Sequence, residues 1–281
     1  MSRKSTSYKK SPIMTLLIVI VFVIAGITGH NTSTPSKNEN SQKDEKSYSE
    51  QYKTPEKSSK STDTKNTGKY TTGSSSAKSV SKLANMAYHG KGIIVLNSDK
   101  PSFSKKTTKT YIKLSKLDRL GRCQTAEMCA SASTMPKKKR GDISAVKPAG
   151  WHQAKIKQNG KTYLLYNRSH LLAWSISGLL DDPANLSTGT QMTNQHLMTQ
   201  IEREISGYIE HSKYHIMYRV TPVYRNNELV PRGFKMEAQS VETNDVSICR
   251  YVFNIQPGVS IDYKTGYAKS SSPSVSVKTI N

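Results

Sequence analysis

Between Gly29 and Ser79 the chain is built from Ser, Thr, Lys, Asn and Glu with few aliphatics, as in "NTSTPSKNENSQKDEKSYSEQYKTPEKSSKSTDTKNTGKYTTGSSS". Such a stretch cannot bury enough apolar surface to offset the entropy of ordering it. It is expected to be a disordered tether, so any globular domain must be built from the residues C-terminal to it. Ahead of it, Arg3, Lys4, Lys9 and Lys10 precede residues 13–28, the only long apolar run in the chain. That run lies between a signal-peptide core and a full membrane span, and reads as an export signal, either cleaved or kept as an anchor. The expected organisation is a basic cytoplasmic segment (1–12), a signal peptide or signal-anchor helix (13–28), a linker (29–79), a folded domain (80–268) and a flexible tail (269–281). The folded part would sit outside the cell, tethered to the membrane or secreted.

The whole chain carries a formal charge of +22, and from Asn85 onward 28 Lys and Arg face 14 Asp and Glu. The basic excess therefore belongs to the folded part as well as to the tether. It predicts an affinity for polyanions, with nucleic acid, anionic lipid and acidic wall polymers all left open.

Within the domain, Val80, Leu83, Ala84 and Met86 suggest a short amphipathic helix, and Ile93 to Leu96 a buried strand. Tyr163 to Tyr166 reads as a strand. Thr193 to Ile209 reads as a helix, with Met198, Ile201, Ile205 and Ile209 at helical spacing. Strands are expected over His215 to Tyr224, Phe234 to Ala238 and Ile248 to Phe253, the first two joined by a turn at Asn226-Asn227. Strands on both sides of a helix make an α+β domain with a sheet. Cys123 and Cys129, six apart in an exported chain, are a candidate disulfide, with two free thiols the alternative. Cys249 alternates with Tyr251 and Phe253 and reads as a small buried apolar residue.

Hydrolysing a phosphodiester needs a base for water, a cation for the phosphoryl oxygens and a positive side chain for the charge that builds at phosphorus. His170 in "NRSHLLAW" is a candidate base, since a neutral imidazole takes a proton near working pH. Asn194 and Glu202 are eight residues apart, about 2.2 turns, which puts both on nearly one helical face. An amide oxygen and a carboxylate are hard donors of the kind Mg²⁺ accepts. Each residue taken singly is more simply a structural histidine or a solvated helix face.

The segments "DRLGRC", "NRSHLLAW", "STGTQMTN", "MTQIERE", "YRVTPVY", "ELVPRGFKMEAQS" and "NIQPGVSIDYKTGYA" together resemble the DNA/RNA non-specific endonucleases, and more narrowly the secreted and membrane-anchored nucleases of Gram-positive cocci, including DNA-entry nucleases. The resemblance runs from Leu83 to Ala268. It implies a ββα-metal (His-Me finger) fold with a central antiparallel sheet, in which two strands and a helix clasp one Mg²⁺, with Mn²⁺ a substitute. It implies His170 as general base, Asn194 as the direct metal ligand, Glu202 as the acid holding the metal's water shell, and Arg122 as the arginine that stabilises the phosphorane. Products would carry a 5′-phosphate. Asn167 and Ser169 stand where the family has Asp and Gly, and Gln191 where relatives often have a basic residue. Arg168, Gln191, Lys138 and Lys139 are candidate substrate contacts, and Lys137 to Arg140 with Arg203, Arg225 and Arg232 candidates to line a backbone-tracking groove.

The expected function is an exported, Mg²⁺-dependent endonuclease acting on DNA, with RNA left open, as a monomer. The competing expectation is a surface-displayed DNA-binding module without catalysis, which would have no use for His170, Asn194 and Glu202 together.

Overall fold

The structure is a computed structural model that describes residues 75–280. The expected export segment and most of the expected tether lie outside the described residues. Among the described residues, no helix is long and apolar enough to cross a membrane.

The centre is a six-stranded antiparallel sheet of β1 (Ile93–Val95), β2 (Tyr111–Leu114), β3 (Ala126–Ala130), β8 (Ile216–Val223), β9 (Gly233–Ser240) and β10 (Ser247–Phe253). Their order across the sheet is β1-β10-β9-β8-β3-β2. Alternation along the strands sorts the two faces. Met128, Ile216, Tyr218, Val220, Phe234, Met236, Ala238, Ile248 and Val252 point to one face and join Ile201, Ile205 and Ile209 of the helix α3 (Thr199–Ser212) in the main core. These three isoleucines are fully buried, each contributing about 1.5–3 kcal/mol of transfer free energy. On the opposite face Glu127, Arg219 and Glu237 are direct neighbours across three strands. Arg219 binds Glu127 at 3.1 Å and Glu237 at 2.8 Å, and Lys235 also reaches Glu237, so this face is closed by charge pairing. The helix α1 (Ser75–Ala84) packs Leu83 and Ala84 against Val223, Tyr251 and Phe253.

A hairpin of β6 (Tyr166–His170) and β7 (Leu186–Thr190) carries the opening of the candidate site, with a short helix α2 (Trp174–Ser177) between them. Beneath the start of β6 lies a third sheet made from β4 (Ala154–Gln158), β5 (Lys161–Leu164) and β13 (Val275–Thr279), in the order β13-β4-β5. Two short strands, β11 (Val259–Ile261) and β12 (Ala268–Ser270), pair beside it.

Four expectations need correction. Ile93 to Val95 form an edge strand with Val95 56% exposed, because only β10 pairs with it. Tyr163 to Tyr166 is not one strand. The chain changes sheets at the fully buried Leu165, whose N–H goes to Ala154 O, while Tyr166 N–H goes to the Gln153 side chain. The expected flexible tail contains β13, held by five residue pairs with β4 and by burial of Val275 against Ile156, Leu165 and Tyr166. Finally, Cys123 and Cys129 are free and buried. The chain between them is largely extended, so at about 3.3 Å per residue they stand roughly 20 Å apart, well beyond disulfide reach. Cys123 Sγ lies 3.5 Å from the Tyr224 hydroxyl and Cys129 Sγ donates to Thr107 O at 3.0 Å.

Truncation after Ser272 tests the role assigned to β13. Losing the burial of Val275 alone removes about 2 kcal/mol, which corresponds to a fall in Tm of about 4–8 °C for a domain of this size. An unchanged melting curve would show the strand to be dispensable.

Candidate active site

His170 is the last residue of β6, paired across the hairpin with Leu186, and only 7% exposed. Both ring nitrogens have partners. Nε2 lies 2.7 Å from the Leu180 carbonyl oxygen, and Nδ1 lies 3.3 Å from a terminal guanidinium nitrogen of Arg140. A carbonyl can only accept, so Nε2 carries the proton, and Nδ1 keeps its lone pair on the side facing Arg140. Burial pushes the imidazole pKa down to about 4, against a raising contribution from the Leu180 carbonyl and with a further lowering by the Arg140 charge. His170 is therefore a neutral base at physiological pH, with its tautomer fixed.

Arg140 is exposed over much of its surface while its tip meets His170. Its neighbour Gly141 packs on the Leu180 side chain. A Cβ there would stand 2.8 Å from the Leu180 side chain, so the Arg140 loop and the carbonyl that fixes His170 pack directly on one another. Arg168, two residues before His170, secures the far end of that loop. Its guanidinium donates to Val146 O at 2.5 Å and Ser144 O at 2.6 Å and lies 4.3 Å from the Trp151 ring centroid. Arg168 is thus committed to the loop, where the sequence made it a candidate substrate contact.

Glu202 sits in the first turn of α3. Desolvation pushes its carboxyl up to about 8, opposed by the charge of Arg140. Its charge also acts on Tyr218, whose hydroxyl donates to Leu171 O at 3.1 Å, the residue after His170. Arg140 therefore touches His170 and is close enough to Glu202 for its charge to act on that carboxyl.

Asn194 lies just upstream of α3, in a π-helical segment from Met192 to Met198 rather than in a continuous α-helix. A buried polar network sets the entry to this segment. Thr190 Oγ1 donates to Ile255 O and accepts from Thr193 N, while Thr193 Oγ1 donates to Phe253 O and accepts from Ile255 N. Asn254 Oδ1 accepts from Thr190 N, Gln256 Oε1 accepts from Met192 N, and Asn254 Nδ2 donates to Thr188 O and Pro231 O. Every one of these side chains is at least 95% buried. Each lost partner would strand a buried polar group at about 1–3 kcal/mol, so the segment has little freedom to rotate. Among the described residues the Asn194 carboxamide has no hydrogen-bond partner, and its backbone carbonyl accepts from Thr199 Oγ1.

Arg122 is placed elsewhere. Its guanidinium is bound to Asp118 and to the carbonyls of Asn226 and Glu228, and stacks 4.5 Å from the Tyr224 ring centroid. With its donors spent on this turn it has no contact with His170, and Arg140 holds that place. The sequence did single out Arg140, but only as the end of a basic run. Arg225 binds Ala84 O, and Arg232 is paired with Glu228 over the Tyr263 ring. Lys138 and Lys139 are exposed just before Arg140, and Gln191, partly buried, opens the π-helical segment with its N–H on Leu165 O.

The departures at Asn167 and Ser169 lie on the face of β6 opposite His170. Ser169 is fully buried, paired across the hairpin with Ser187, and fits because the next position but one on β7, the partner of Asn167, is Gly189. A Cβ on Gly189 would collide with Ser169 Oγ. Ser169 Oγ has no hydrogen-bond partner among the described residues.

The family model for DNA/RNA non-specific endonucleases matches residues 101–242, half of the chain and all of the elements that meet at His170. The chain belongs to this family. It is an endonuclease. Its structure is similar to that of NucA from Streptococcus agalactiae with magnesium ion bound, at 23% identity and TM-score 0.58, covering 64% of this chain and 89% of that one. NucA with no metal bound matches at 24% and 0.57, covering 64% and 87%. The Sda1 nuclease with bound zinc ion matches at 26% and 0.50, covering 57% and 82%. These likenesses show the nuclease fold. No curated protein matches the chain in sequence. Among the endonuclease's described residues no group of three His, Cys, Asp or Glu could hold a metal ion.

The neutral, buried state of His170 has a stability consequence. The folded pKa lies below the usual 6.5, so between pH 6.5 and about 4 the unfolded chain binds more protons, and acid destabilises the fold by roughly 3 kcal/mol across that window. His170→Gln should remove most of that slope in chemical-denaturation measurements. Nitrogen NMR of the metal-free endonuclease should show an Nε2–H tautomer still neutral at pH 5.5, and a charged ring at that pH would contradict the burial argument.

Proposed function

We propose that the endonuclease hydrolyses phosphodiester bonds in DNA without strong sequence preference, using His170 as general base. The observation that carries this reading is the Leu180 hydrogen bond, which leaves Nδ1 as the basic nitrogen and turns it toward an arginine with exposed surface. In the free enzyme Arg140 donates to Nδ1. An incoming phosphate is a stronger acceptor for a guanidinium than a neutral imidazole, so substrate draws Arg140 onto a phosphoryl oxygen and uncovers the lone pair. Water then attacks phosphorus while its proton passes to Nδ1. The bond from phosphorus to the 3′ oxygen breaks, and the departing oxygen takes a proton from a solvent water, leaving a 3′-hydroxyl and a 5′-phosphate. Arg140, now on the phosphoryl oxygens, offsets the charge that builds there.

The donor set near this base fits a divalent cation with hard ligands. Asn194 offers an amide oxygen with no partner among the described residues, and Glu202 offers a carboxylate whose burial disfavours its charge unless a cation is near. Asn194 would hold Mg²⁺ directly and Glu202 through its water shell, with Mn²⁺ a substitute. When bound, the ion supplies charge stabilisation at the non-bridging and leaving oxygens. The rigid network around Thr193 and Asn254 keeps Asn194 in place for this role. Residues 13–28 and the basic segment before them support export, so the substrate is extracellular nucleic acid.

The purified chain should nick and linearise supercoiled plasmid in Mg²⁺, stop with EDTA, and leave ends that ligase can join without a kinase. His170→Ala should lower the rate by about 10²–10⁴, the range for loss of a general base. Intact plasmid under these conditions, or His170→Ala cutting at the parental rate, would overturn the mechanism.

A further inference from the structure

The β13-β4-β5 sheet has an inner face and an outer face with different work to do. Ala154, Ile156, Tyr163, Val275 and Val277 pack inward with Leu165 and Tyr166, at the start of the strand that ends in His170. The outer face presents Lys155, Lys157 and Lys278 with Thr162, Ser276 and Leu164, all exposed. The register makes Lys155 and Lys278 direct cross-strand neighbours, and Lys157 lies two residues along from Lys155. Like charges placed opposite one another on a sheet are destabilising, and here nothing offsets them. Among the described residues none of the three lysines has an ion-pair partner. The sheet is assembled from two stretches, residues 143–180 and 263–281, that contain no Asp or Glu at all. The central sheet solves the same problem differently, since its charged face alternates Glu127, Arg219 and Glu237.

We propose that this outer face is a second contact for the phosphate backbone of a nucleic acid, separate from the catalytic cleft, that holds long substrates on the enzyme. The proposal rests on the nuclease reading above. A flat face of lysines and hydroxyls gives charge complementarity without sequence information. It offers two exposed aliphatics, Leu164 and, just past β13, Ile280, and no exposed aromatic, against three lysines, which favours a phosphate backbone over insertion into a lipid surface. Lysines two apart on a strand are about 7 Å from each other, and the start of β6 is about 13 Å from His170 along the strand. A duplex rising 3.4 Å per base pair must therefore extend at least roughly four base pairs beyond the scissile bond to reach the face, and a small diester cannot. Lys155 and Lys157 lie within the residues that the family model matches and Lys278 lies beyond them, so the face is completed only when β13 adds to β4.

The test is the full chain against the triple variant Lys155→Ser, Lys157→Ser, Lys278→Ser. On a chromogenic nitrophenyl phosphodiester the two should have the same kcat/KM within about twofold. On kilobase duplex DNA the variant's KM should rise about three- to tenfold. In the His170→Ala background, the slope of log K against log salt for duplex binding should fall by about 2 to 3, as expected for three lost phosphate contacts. Thermal stability should not fall, since the substitutions relieve repulsion. Unchanged KM and salt slope on long DNA would overturn the proposal, as would an equal loss on the small diester. Binding to phosphatidylglycerol vesicles that the triple substitution abolishes, with DNA binding intact, would assign the face to lipid and overturn it too. A parent chain that neither binds nor cuts DNA would instead overturn the nuclease reading itself, and this contact with it.

Discussion

The hydrogen bond from His170 Nε2 to the Leu180 carbonyl sets the chemistry of the site. It decides which nitrogen is basic, and burial at the end of β6 keeps that nitrogen neutral. Much of the surrounding structure serves to bring the two groups together. The β6–β7 hairpin ends with His170 opposite Leu186, and the chain between the two strands carries Leu180 back over the imidazole. Gly141 lets the neighbouring layer, the Arg140 loop, close onto Leu180, and Arg168 ties that loop down through two carbonyls and the Trp151 ring. In the mechanism proposed above, substrate separates this contact between a neutral imidazole and a guanidinium, so that phosphate arrival is coupled to exposure of the base.

The second half of the site depends on polar burial rather than on apolar packing. Thr190, Thr193, Asn254 and Gln256 interlock β7 with the chain leaving β10, and they satisfy one another so fully that the π-helical segment holding Asn194 has one setting. A continuous α-helix would aim residue 194 differently relative to Glu202, because a π-turn widens the helix before α3 begins. Apolar contacts from Ile201, Ile205 and Ile209 then fix α3 on the sheet, and with it Glu202.

How much could be read from the sequence depends on which signals are local. The three isoleucines of α3 and the alternation in β8, β9 and β10 are periodic patterns, and they placed the central sheet and its helix. His170, Asn194 and Glu202 stood out because motifs around them are ordered along the chain. Arg140 did not stand out from Lys137, Lys138 and Lys139, since a basic run gives no local sign of which member folds inward. That choice shows only in the contact with His170, thirty residues downstream. Arg122 looked suitable by its neighbours, yet Asp118 four residues away captures it. The π-helix was invisible because its cause lies in Asn254 and Gln256, some sixty residues downstream. Likewise β13 exists only because β4 offers it an edge.

The proposed mechanism gives the reacting phosphate to Arg140, which touches His170, and not to Arg122, which is bound to Asp118 and to two backbone carbonyls. The most direct measurement compares kcat and melting temperature for Arg140→Ala and Arg122→Ala on the same DNA substrate. Arg140→Ala should lose about 10²–10³ in kcat with its melting temperature nearly unchanged, as for removal of one charge-stabilising donor. Arg122→Ala should melt earlier but keep its turnover per folded molecule. A fully active Arg140→Ala, or a folded Arg122→Ala without activity, would contradict that assignment.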